Sequence, residues 1–164
     1  MKIVSLILVL MFFLVGCGEA QVFEPVEDVY ASGVRRSPSE VMLALPEEAG
    51  MEVIAGSSGR IYLCEGYTVT VETRDSGNID ATLQAMTGYR REVLTVLQRQ
   101  EGDVTRYECA WTCAGEDGDQ VARGVVLDDG VYHYCVCVMA DARESGSLQD
   151  AWQQLLSSVN LRTD

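Results

Sequence analysis

Hydrophobic and polar positions divide the chain into three stretches. Residues 3–15 form an apolar run interrupted by Ser5, residues 18–37 mix Glu, Pro, Gly and Ser with scattered apolar positions at no fixed period, and from Val41 onward apolar positions recur with helix or strand spacing. The first run is 13 residues long, whereas a membrane-spanning helix needs roughly 20. Short length, one preceding positive charge (Lys2) and small residues behind it are the layout of a secretory signal.

In the third stretch, residues 41–45 (Val-Met-Leu-Ala-Leu) lie between Pro38 and Pro46 and are expected to form one or two helical turns, capped by Ser37 or Ser39. Strands are predicted over residues 60–65, bounded by Gly59 and Gly66, and over 67–73, where β-branched and polar residues alternate. Residues 78–87 read as a helix. Asn78 can cap it, Asp80 suits its positive end, Gly88 can end it, and Ile79, Leu83 and Met86 share one face. Residues 91–98 are ambiguous, and Val93, Thr95 and Val96 tip them to strand. Strands over 104–114, 120–127 and 131–140 follow, the last two joined by the hairpin turn Asp128-Asp129-Gly130. Ser147 is expected to cap a final helix over 148–159, with Leu148, Trp152, Leu155, Leu156 and Val159 on one side.

The last strand is apolar on both sides: Tyr132, Tyr134, Val136 and Val138 alternate with His133, Cys135, Cys137 and Met139. Such a strand is a central one, covered on both faces. The expected fold class is therefore α+β, a mostly antiparallel sheet with helices packed on it, over residues 39–164. Strand hairpins, a helix after the second strand, and a closing helix with Trp152 and Ser157-Ser158 resemble small PsbP-like domains across about residues 40–161. The resemblance is one of topology and transfers no functional residue. It implies a non-enzymatic accessory or assembly module.

The end of the N-terminal run carries a second resemblance. Leu14-Val15-Gly16-Cys17 is similar to the lipobox of bacterial lipoproteins. The likeness implies removal of residues 1–16 as a signal peptide and transfer of diacylglycerol and acyl lipid to the Cys17 thiol. Residues 17–38 then serve as a flexible tether, and the product sits lipid-anchored on the extracytoplasmic face of the cell membrane. Stable anchoring takes two or more acyl chains. Gly18-Glu19-Ala20 has the small-x-small pattern of an ordinary cleavage site and is the alternative.

Charge sharpens this picture. The chain has 12 Lys plus Arg against 25 Asp plus Glu, a net charge of −13. Its single lysine, Lys2, leaves with the signal, so every cation of the mature chain is arginine. An acidic body is repelled by nucleic acid and by anionic headgroups. Nucleic acid is thereby excluded as a partner, membrane association falls to the lipid, and an envelope protein or small ligand is the remaining partner class.

Five cysteines follow Cys17. Cys109 and Cys113 share one strand face, and Cys135 and Cys137 share another, with His133 beside them. In a plain meander the strand 120–127 separates the pairs by roughly 9–10 Å, beyond the ~7 Å between Cα atoms that a disulfide allows. Only Cys64 is left as a candidate for a bridge, should its strand lie beside a partner. A zinc or thiol-redox site built from Cys109, Cys113, His133, Cys135 and Cys137 is the alternative functional reading, but ligands on regular strands do not converge as zinc requires. Cysteine as a small buried hydrophobe fits better. No nucleophile elbow, His-Glu-x-x-His or phosphate loop is present. Asp117, Asp119, Asp128 and Asp129 lack EF-hand spacing and read as solvated turns. Arg90 and Arg91, adjacent on a strand, point apart and form no clamp. No enzyme activity and no cofactor beyond the lipid on Cys17 are expected.

Overall fold

The computed structural model describes residues 36–53 and 59–162. The lipobox and most of the tether lie outside the described residues. Seven strands form one antiparallel sheet: β2 (Gly50–Val53), β3 (Arg60–Cys64), β4 (Tyr67–Asp75), β5 (Val96–Glu101), β6 (Val104–Ala114), β7 (Asp119–Asp128) and β8 (Tyr132–Asp141). Their order across the sheet is β2-β3-β4-β8-β7-β6-β5. The meander β5 to β8 thus folds back to pair its last strand with β4, so that Thr70 faces Cys137 and Val71 faces Val136. This makes β8 the central strand, as its doubly apolar pattern requires.

One helix covers each face. Helix α1 (Ile79–Thr87) begins where the Asn78 side chain accepts from the Asp80 N–H and ends at Gly88, whose φ of 80° is left-handed. Leu83 is its fully buried residue, packed with Leu94, Cys109, Trp111, Ala122, Val126 and Cys135. Helix α2 (Gln149–Ser158) lays Trp152, Leu155 and Leu156 on Val69, Val125, Tyr134, Val136 and Val138 of the other face. Alternate residues of β8 feed both cores, so the tyrosines go to α2 and the thiols to α1.

The architecture agrees with the expected α+β class, and four local expectations are corrected. Residues 41–45 are not helical. Val41–Met42 form β1, paired with β9 (Asn160–Leu161), and Val41, Leu43 and Leu45 pack inward while Met42 and Ala44 stay exposed. That burial has period two, and between two prolines an extended strap satisfies it where a helix of 3.6-residue period would not. Ser147 caps nothing. Its hydroxyl donates to the Glu144 carbonyl at 2.8 Å inside a run of turns, and Leu148 at the helix start is already in the right-handed region, whereas a cap needs extended backbone. Residues 91–98 split into a 3₁₀ turn (Arg91–Val93) and the start of β5, because buried Leu94 ties the connection to the core before the strand begins. The Asp128-Asp129 turn is not simply solvated, as described below.

Candidate functional site

The sheet register brings four of the five cysteines under α1. Cys109 and Cys137 both stand opposite Gly124, one on each side, and Cys135 stands opposite Val126 on the same face. Cys113 lies four residues beyond Cys109 and its thiol is 4.0 Å from the Gln120 side-chain oxygen. Gly124 leaves room here, because a Cβ would come within 2.9 Å of the Met86 methyl and 3.2 Å of the Trp111 ring. Burial pushes the thiols of Cys135 and Cys137 up to about 12 and that of Cys109 to about 11, the last against the pull of Arg91. Thiols so far from ionisation are neither nucleophiles nor ready metal ligands. All five described cysteines are free, and Cys64 hydrogen-bonds with Tyr67 on the α2 face, flanked by strands without cysteine.

His133 is wholly buried beside this layer. Its Nδ1 lies 2.7 Å from the Thr82 hydroxyl of α1, and its Nε2 lies 3.5 Å from an Asp128 carboxylate oxygen without a hydrogen bond. The Thr82 hydroxyl is buried against the ring, so the arrangement fastens α1 to β8 rather than presenting a nucleophile. Among the described residues no group of three His, Cys, Asp or Glu side chains is placed to hold a metal.

Asp129, in the hairpin, is a structural hub with a side chain only 6% exposed. One carboxylate oxygen accepts from the N–H groups of Val131 and Tyr132 at 2.9 and 2.8 Å; the other accepts from the Tyr134 hydroxyl at 2.8 Å and pairs with Arg36. Burial alone would raise its pKa, but these donors hold it below the ordinary carboxylate range. The strap is bound alongside: the Tyr132 hydroxyl donates to the Arg36 carbonyl, and the Ser39 N–H donates to the Tyr134 hydroxyl.

Open space suited to a ligand lies on the opposite face from the thiols. Helix α2 packs over the middle of the sheet and leaves Leu97 and Arg99 of β5 and Ala110 of β6 exposed, with a groove of about 530 Å³ beside it. Leu97, Ala110, Val125 and Leu156 give it apolar walls, and Arg99, Arg106, Glu108 and Arg123 give it charge. Two of the three arginines are committed. Buried Arg106 donates to the carbonyls of Leu156 and Val159 at the end of α2 and to Glu108 at 2.6 Å, while Arg99 donates to the same Glu108 oxygen at 3.0 Å and pairs with Glu101. Half-buried Arg123 has no carboxylate or carbonyl partner among the described residues. These residues escaped sequence reasoning, although a signal exists: in Val121-Ala-Arg-Gly-Val-Val-Leu127 the apolar stripe Val121, Val125, Leu127 is broken by one arginine.

The fold is similar to that of PsbP, an α+β domain with a mostly antiparallel sheet. Cyanobacterial PsbP from Synechocystis matches with a TM-score of 0.54 at 7% identity, over 77% of this chain and 95% of that one. A protein from Bacteroides thetaiotaomicron matches with a TM-score of 0.52 at 7% identity over 76% of this chain, which spans only 46% of that protein's length. LpqN, involved in cell envelope biogenesis of Mycobacterium tuberculosis, gives 0.48 at 9% identity, over 77% of this chain and 87% of that one. No protein-family model and no curated protein matches the sequence.

Proposed function

We propose that this chain is a lipid-anchored envelope protein in which diacylglycerol and acyl chains on Cys17 hold a non-catalytic binding module at the extracytoplasmic face of the cell membrane. The observation that carries the binding role is the groove beside α2, concave, apolar-walled and holding an uncommitted cation in a chain of net charge −13. A PsbP-like fold supports an accessory role over catalysis, and the high thiol pKa values give a redox role no support. The anchor reading rests on Leu14-Val15-Gly16-Cys17. Among the described residues no helix is long and apolar enough to cross a membrane, and the acidic body has little attraction for anionic headgroups. Labelled palmitate should enter the wild-type chain and not Cys17→Ser, and the variant should leave the membrane fraction or accumulate unprocessed. A processed Cys17→Ser product that stays tightly membrane-bound would refute the anchor.

A further inference from the structure

We infer that the groove beside α2 takes an amphiphilic monocarboxylate, its headgroup on the Arg123 guanidinium and its apolar body along Leu97, Ala110, Val125 and Leu156. This deepens the binding-module reading and rests on it. The head is fixed by charge. Arg99 and Arg106 share Glu108, and Arg99 also meets Glu101, so their charge is offset within the groove. Of the groove's three arginines, Arg123 alone offers a planar, two-pronged donor that is unpaired among the described residues. A half-buried guanidinium in a low-dielectric cleft is best matched by one carboxylate bound through two parallel hydrogen bonds. A phosphate monoester brings a second negative charge toward the Glu108 carboxylate with no second free cation to meet it.

The body is fixed by the walls. Leu97 is 67% exposed on β5, and buried Leu156 near the end of α2 also lines the groove. Such a large aliphatic residue stranded at the mouth of a cleft gains by burial, about 25 cal/mol per Å² covered. A volume of about 530 Å³ falls in the range of small-ligand sites. Bound there, the ligand covers the exposed leucine and neutralises the arginine in one step. A polar acid would leave the leucine bare, and a neutral lipid would leave the arginine unpaired.

Titration calorimetry on the purified full chain tests this with four ten-carbon probes kept below their micelle thresholds: decanoate, decyl phosphate, decanol and decyltrimethylammonium. Decanoate should bind best. Arg123→Gln should weaken it at least tenfold, Arg123→Lys should lie between, and Leu97→Asp should weaken it comparably. Methyl resonances of Leu97, Val125 and Leu156 should shift with saturation. Decanol or decyl phosphate binding as tightly as decanoate, no decanoate binding, or an affinity unmoved by Arg123→Gln would overturn the inference. None of those results touches the lipid on Cys17, whose labelling test stands apart; loss of the anchor likewise leaves the groove's preference measurable.

Discussion

The thiols show how one residue type acquires its behaviour from where the sheet sets it. Unfolded cysteine ionises near ~8.5, whereas burial lifts Cys109 to about 11 and Cys135 and Cys137 to about 12. The sign of the linkage follows. Between those limits the unfolded chain has lost protons that the folded chain retains, so stability is full below the unfolded pKa and falls as pH rises toward the folded one. The free energy of unfolding in urea should therefore drop between pH 8 and pH 10, with a slope approaching about 1.4 kcal/mol per pH unit for each buried thiol. Cys135→Ala should flatten that slope. Under a thiol reagent at pH 8, Cys109 and Cys135 should label only as the protein unfolds; prompt labelling in the folded state would contradict their burial. Part of this was legible in the sequence, since spacing alone puts Cys109 with Cys113 and Cys135 with Cys137. The shared row through Gly124 was not, because register between strands is decided by long-range pairing that no local pattern encodes.

Among the elements, α1 depends on a space that a single glycine provides. Met86 reaches down from α1 over Gly124, its methyl and sulfur 2.9 and 3.2 Å from where a Cβ would stand. Gly124→Ala should cost about 1–3 kcal/mol in urea unfolding, the usual range for overpacking. In a Met86→Ala background the same change should cost less, because only the Trp111 ring, 3.2 Å from the Cβ position, is then left to give way. Equal costs in both backgrounds would show that Met86 is not the obstacle. Elements with strong local signals were readable: Asn78 and Gly88 mark α1 with a cap and a left-handed stop, and alternation marks β4 and β6 to β8. Those too short for a period were not. The pairings of β1, with two residues, and β2, with four, exist only through partners distant in sequence. Residues 41–45 are buried with period two, but all five are apolar, so the sequence fits a helical turn as readily until the core they face is known.

For the whole molecule, the fold class followed from the order and doubly apolar character of the late strands. The closure of β8 onto β4 and the strap's binding followed from nothing local. Asp129 joins strap to hairpin, so its protonation bears on the entire body. Its folded pKa is depressed, hence its contribution is present above the unfolded carboxylate pKa and is lost as pH falls through the folded value. Asp129→Asn keeps one acceptor for the Val131 and Tyr132 N–H groups and sets an amide against the Tyr134 hydroxyl and Arg36. Denaturation at pH 7 should show a loss of about 1.5–3 kcal/mol, and the gap to wild type should narrow as pH drops below the folded pKa. A gap that stays constant would mean the carboxylate charge contributes nothing.

The same strap sets how the body bears tension. Its two described ends lie side by side, with Val41 paired to Leu161 and Arg162 to Glu40. A pull arriving along the chain at Arg36 meets the Arg36–Asp129 pair, then the Ser39–Tyr134 bond, then two rungs against β9. The first two of these ties end on the β7–β8 hairpin and on β8, so the load passes directly to the central strand of the large sheet.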